Sequence, residues 1–133
     1  MIPSDQKAHT MTDKRFSQQI TFLHSNELEA TRYFYSEILG LKLARDQETC
    51  LIFEVTKTAY LGFCEHIVPI QPGRRIILTL VTEDVDHWYE LLKDKNVNMM
   101  EAPKANPKYQ IYHFFLRDPD GHVIEIQKFD NPL

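Results

Sequence analysis

The sequence predicts an α+β domain in which one βαβββ unit occurs twice, giving two curved mixed sheets around a cleft. Three observations lead there. The apolar pattern is interrupted once, at "VPIQPGRR" (68–75), by two prolines and a glycine. The same order of elements can be read on each side of that break. The halves also keep register: Leu28 and Val85, the first apolar residues of the two helices, lie 57 positions apart, and the same offset sets Ile20 against Ile77.

Residues 1–17 are polar, lack the apolar stretch of a secretory signal and read as a flexible tail, with Met11 offering a second start. A single domain then spans 18–133, with module one at 18–67 and module two at 74–129. "QQITFLHS" (18–25) is rich in β-formers and predicts a strand. "NELEATRYFYSEILG" (26–40) predicts an amphipathic helix: Asn26 suits an N-cap, Gly40 a C-terminal stop, and Leu28, Thr31, Tyr35, Ile38 and Leu39 share one face. "LKLARD", "TCLIFEV" and "TAYLGFCE" follow as short strands. In the second half, "RRIILTLVT" (74–82) predicts a strand. "EDVDHWYELLKDKNV" (83–97) predicts a helix, acidic at its start and basic at its end as the helix dipole favours. "NVNMME" is a short strand, and "KYQIYHFFLR" joins "HVIEIQKF" through the turn "DPDG". Aligning the final hairpins sets Gly62 against Glu125, the offset having grown to 63 through the longer loop "EAPKANPKY".

The bulk properties exclude several classes. With 133 residues the chain suits one domain with a substantial core. A formal charge of −4, with Arg74–Arg75 as the one basic pair of note, argues against a nucleic-acid partner. No apolar run approaches the ~20 residues of a membrane span, so no membrane partner is expected. Cys50 and Cys64 are too few for a disulfide scaffold and lack zinc-site spacing. The expected location is cytoplasmic.

"HSNELEATRYFYSEILGLKL" followed by "FFLRDPDGHVIEIQKF" resembles the vicinal oxygen chelate superfamily, which contains glyoxalase, bleomycin-resistance proteins, fosfomycin-resistance enzymes and extradiol dioxygenases. The resemblance runs from residue 18 to 129, and its most specific parts are the helix end "FY-x-x-x-LG" and the hairpin "DPDG-x-x-x-E". It implies paired βαβββ modules and, in the metalloenzymes, a divalent ion held by His, Gln or Glu from four strand positions. Here those positions carry Ile20, Gly62, Ile77 and Glu125, and three of the four cannot bind metal. One carboxylate does not hold a first-row ion against water, so the expected cofactor is none and a divalent metal is disfavoured. The resemblance also implies a homodimer, and unpaired sheet edges agree with that.

With Glu125 turned into the cleft, alternation also turns Val123 and Gln127 inward. Folding back the "DPDG" hairpin would pair Glu125 with Phe114 and Gln127 with Tyr112. In module one the matching positions would be Leu51, Phe53, Tyr60, Gly62 and Cys64, with Phe22, His24 and Thr79 from the opening strands and Gly62 leaving room. His87, His113 and His122 are expected to face outward or lie at turns. All these assignments rest on strand parity, which one bulge inverts. The candidate ligand-binding set is therefore Phe22, Phe53, Tyr60, Cys64, Thr79, Tyr112, Phe114 and Gln127, with Glu125 and His24 as candidate catalytic groups. Cys64 reads more readily as a small buried hydrophobe than as a nucleophile. An inward carboxylate among apolar strands needs a partner, so Glu125 is either a hydrogen-bonded relic or a base or anchor for a ligand.

The expected function is a metal-free cleft that binds a small organic molecule, as the bleomycin-resistance proteins do. One alternative is a metal-dependent lyase, isomerase or dioxygenase of the glyoxalase type. Another is a metal-free enzyme that moves protons with Glu125 and His24 or Tyr112.

Overall fold

Strand pairing follows the repeat residue by residue. The computed structural model describes residues 16–69 and 76–133, so the tail expected at 1–17 lies almost wholly outside the described residues. Module one contains β1 (Gln19–His24), a helix α1 beginning at Leu28–Arg32, β2 (Lys42–Asp46), β3 (Cys50–Thr56) and β4 (Ala59–Cys64). Module two contains β5 (Ile77–Val81), α2 (Val85–Lys93), β6 (Asn98–Met99), β7 (Lys104–Asn106), β8 (Ile111–Arg117) and β9 (Val123–Phe129). The sheets run β1-β4-β3-β2 and β5-β9-β8-β6, with β7 also paired to β8. β7 is the one element the sequence did not predict, because Pro103 and Pro107 flank it in what reads as a loop.

In each sheet the opening strand lies parallel to the closing one. Phe22 pairs with Gly62, and Thr79 pairs with Glu125. These are equivalent pairs under the offsets of 57 and 63 read from the sequence. The pairing also refines them: Thr79, not Ile77, is the direct neighbour of Glu125, while Ile77 sits beside Val123.

Helix α1 widens after Arg32 into a π-helical turn over Tyr33–Ile38 and ends at Gly40, whose φ of 72° is the left-handed stop expected there. Asn26 is not its N-cap. Glu27 holds that position without a side-chain cap bond, and the Asn26 Oδ1 instead lies 2.7 Å from His24 Nε2. Leu28, Thr31, Tyr35 and Leu39 are buried as their spacing predicts. Tyr35 stacks on Phe63 with ring centroids 4.3 Å apart and lies 5.5 Å from Phe53. In module two Tyr89 of α2 meets Phe114 edge-on at 5.4 Å. The buried side chains under both helices form one apolar cluster spanning both modules.

The turn that carried the family resemblance ties the modules together. The connection between β8 and β9 has five residues, Asp118–His122, and is closed by Asp118 N–H donating to the His122 carbonyl (3.0 Å). Asp118 is 5% exposed and accepts from Asp120 N–H, His122 N–H (both 2.9 Å) and the Tyr35 hydroxyl (2.8 Å). Asp120 accepts from Asn26 N–H (2.7 Å) and the Thr31 hydroxyl (3.3 Å), and His122 Nε2 lies 2.7 Å from the His24 carbonyl. A second-module hairpin thus satisfies backbone and side-chain groups at the start of the first-module helix.

Burial, with the Asp118 carboxyl next to it, raises the Tyr35 hydroxyl well above its ordinary 10. The folded state therefore keeps this proton longer than the unfolded chain does. That contribution is complete below about pH 10 and is lost as pH rises through the folded value. In an absorbance titration at 295 nm, Tyr35 is expected to ionise only together with alkaline unfolding. Tyr35→Phe should abolish that step, and a Tyr35→Phe titration indistinguishable from wild type would contradict the assignment.

Candidate functional site

The sheet faces turned away from the helices differ between modules. On the second sheet, β9 alternates Val123, Glu125 and Gln127 away from α2, while Ile124 and Ile126 point into the core. Glu125 is 8% exposed and fully engaged. The Thr79 hydroxyl donates to its Oε1 at 2.7 Å, and His113 Nδ1–H donates to its Oε2 at 2.6 Å. With its amide nitrogen turned to the carboxylate, Gln127 donates to both oxygens at 3.0 and 3.1 Å. The His113 ring is buried, edge-on to Phe115 at 5.1 Å, and its Nε2 has no hydrogen-bond partner among the described residues. Thr79 is exposed on the edge strand β5, so the carboxylate lies one strand in from an open edge.

His113 was expected to face outward, and its place here follows from hairpin register. Glu125 pairs with Phe115 and Gln127 with His113, not with Phe114 and Tyr112. A four-residue "DPDG" turn would give the expected pairs, whereas the five-residue connection shifts β8 by one. A one-residue shift moves every side chain to the opposite face. Phe114 is therefore fully buried under α2, and Tyr112 also faces the helix, where its hydroxyl donates to Asp86 at 2.5 Å. Neither is a pocket residue. The sequence signal that could have placed His113 was the same alternation, counted from Val123 opposite Arg117.

The first sheet shows a similar inversion. A register shift between Glu54 and Thr56 brings Ile52 opposite Gly62 and Cys50 opposite Cys64. Leu51 and Phe53 consequently face the core, and Phe53 is wholly buried against Tyr35 and Phe63. Phe22, Tyr60, Gly62 and His24 do lie on the helix-free face as expected. Gly62 leaves no room, however, because a Cβ there would overlap the Phe22 ring, which covers the glycine. Tyr60 contacts Gln18 and the Lys57 carbonyl. His24 has both ring nitrogens engaged, with Nδ1 2.7 Å from the Ile67 carbonyl. Cys64 shares that face with Tyr60 and Gly62 but is disulfide-bonded to Cys50, so it is not a nucleophile. Among the described residues, no hydrogen bond joins this group to the Glu125 cluster. Of the expected site, the structure brings Glu125, Thr79 and Gln127 together and adds His113.

These residues do not suit the metal that the resemblance implies. Ile20, Gly62 and Ile77 offer no donor, and the Glu125 oxygens are taken up by Thr79, His113 and Gln127. Three His, Cys, Asp or Glu donors meet within 4.8 Å in two other places among the described residues, Cys50–Cys64–His66 and Asp118–Asp120–His122. The second is the turn already saturated by hydrogen bonds. No helix among the described residues is long and apolar enough to cross a membrane.

Comparison with known proteins agrees with this architecture. Among solved structures, a glyoxalase/dioxygenase from Nostoc punctiforme superposes with a TM-score of 0.71 at 19% identity, covering 89% of this chain and 92% of that one. A glyoxalase/bleomycin resistance protein/dioxygenase from Nocardioides superposes at 0.69 with 16% identity, covering 98% and 99%. A lactoylglutathione lyase from Agrobacterium tumefaciens superposes at 0.69 with 18% identity, covering 86% and 95%. No curated protein sequence matches the chain. The family model described as glyoxalase/bleomycin resistance protein/dioxygenase superfamily matches residues 17–126. Spanning both modules and the Glu125 strand, that match makes this chain a member of the glyoxalase/bleomycin resistance protein/dioxygenase superfamily.

Proposed function

We propose that this chain binds a small organic molecule on the helix-free face of its second sheet, with the Glu125 cluster as polar anchor and no metal at the family's four positions. The observation that carries this reading is the unpartnered, buried His113 Nε2 behind a fully engaged carboxylate. A buried polar atom without a partner is costly, and a group supplied by a ligand would satisfy it. Fragment screening by ligand-observed NMR tests this. Fragments that bind wild type are expected to weaken at least tenfold in His113→Phe and Glu125→Gln. Equal binding to all three proteins would reject the site.

A second reading is metal-free proton transfer, with His113 in the role first given to His24 or Tyr112. Glu125 holding Nδ1–H leaves Nε2 as the nitrogen that takes or gives a proton, the arrangement in which a carboxylate orients a catalytic histidine. The expected homodimer is also proposed. The edge strands β1 and β5 expose Ile20, Phe22, Ile77 and Val81, and a second copy with the same two edges would cover them isologously. Sedimentation velocity should then give a dimer that Phe22→Asp weakens.

A further inference from the structure

We propose that Cys50, Cys64 and His66 form a redox-gated zinc site, closed by the disulfide when oxidised and open to Zn²⁺ when reduced. It lies on the first sheet, apart from the Glu125 cluster and from the four positions the family uses. Cys50 and Cys64 are directly opposite each other on β3 and β4, with Cα atoms 4.1 Å apart. Glu65 N–H bonds to the Thr49 carbonyl just beyond them, which marks a pair without mutual backbone hydrogen bonds, the kind whose side chains approach most closely. Two thiolates here are therefore held near each other by the sheet whether or not they are bonded.

The third donor makes the pair more than a staple. His66 follows Cys64 by two residues, is exposed, and places Nδ1 4.0 Å from Cys50 Sγ. The three ligand atoms lie within 4.8 Å of one another. Tetrahedral zinc with Zn–S bonds of about 2.3 Å needs sulfurs about 3.8 Å apart, a separation that side-chain rotation supplies once the disulfide opens. Two thiolates and an imidazole suit zinc, and leave a fourth position for water. The cross-strand neighbour His24 is not a ligand, because both its ring nitrogens are engaged elsewhere.

The chemistry balances. A small-molecule dithiol reduces the disulfide, giving two protein thiols and the oxidised dithiol. Zn²⁺ then displaces two protons as it binds both thiolates and His66. A low-molecular-weight disulfide reverses this: the two protein sulfurs join, zinc leaves, and two small thiolates carry away the electron pair.

The test uses the full chain, oxidised and reduced, titrated with Zn²⁺ against a chromophoric chelator and with Co²⁺ as an optical probe. Reduced protein is expected to bind one ion per chain and show thiolate-to-cobalt charge transfer in the near ultraviolet. Oxidised protein should bind none. Cys50→Ser and Cys64→Ser should each abolish metal binding and with it the charge-transfer band. His66→Ala, at an exposed position that should leave the fold intact, should weaken zinc binding at least tenfold, and His87→Ala, at an exposed histidine of α2 outside both clusters, should leave it unchanged. The proposal is overturned if reduced protein retains no zinc, folded or not by circular dichroism. It is equally overturned if bound metal survives both serine variants, or is lost in His87→Ala.

Discussion

Asp118→Ala should destabilise the chain by about 3–5 kcal/mol, because it strands three donors at once. The Tyr35 hydroxyl is buried between Phe53 and Phe63 and has no other acceptor among the described residues. The Asp120 and His122 amides lose the carboxylate that shapes their turn. For a chain of this size the loss corresponds to a fall in Tm of roughly 10–20 °C. Tyr35→Phe removes one hydrogen bond and should cost about 1–2 kcal/mol. The double variant should cost little more than Asp118→Ala alone, since the two side chains share one interaction. Urea denaturation of the four proteins measures this, and strict additivity would exclude a shared Tyr35–Asp118 interaction.

The same carboxyl gives this prediction a pH dependence. Burial pushes the Asp118 pKa above its ordinary value, against the opposing pull of His122 and the hydrogen bonds it accepts. The folded chain therefore binds this proton more tightly than the unfolded chain, whose value is about 3.9. The resulting contribution is complete below that value and is lost as pH rises through the folded pKa. Asp118→Asn, which cannot titrate, should lack this slope. The stability difference between it and wild type should change only across that acidic window and be flat above it.

How far the site was legible in the sequence depends on which kind of information each residue needed. Repetition is a long-range pattern that survives local error, so the offsets matched Ile20 with Ile77 and Gly62 with Glu125 between the modules, and the strand pairs Phe22–Gly62 and Thr79–Glu125 obey the same offsets. The dimensions of a single turn are different. One extra residue between β8 and β9 moved Phe114 and Tyr112 to the core and brought His113 to Glu125. The irregularity near Glu54 did the same for Phe53 and the cysteines. Cys50 and Cys64 are 14 residues apart, and only the β3–β4 register makes them neighbours. Proline and glycine marked where "DPDG" turns but not that Asp118 would serve as its internal acceptor.

Glu125→Ala should cost about 2–4 kcal/mol, and the reason separates function from architecture. Thr79 is exposed and can turn to water, but the His113 Nδ1–H and the Gln127 amide are buried and would lose their acceptor. Removing one member of a buried polar cluster is expensive, whereas replacing the whole cluster with apolar groups is often neutral or stabilising. The triple variant Glu125→Leu, His113→Leu, Gln127→Leu should therefore recover to within about 1 kcal/mol of wild type or exceed it. Such recovery would mean that the strand tolerates an apolar face, and that these three residues stand there for what they bind. Fragment binding should be lost in the same variant despite its stability. If the triple variant instead remains as unstable as Glu125→Ala, the cluster serves the fold and the binding site must be sought elsewhere on the molecule.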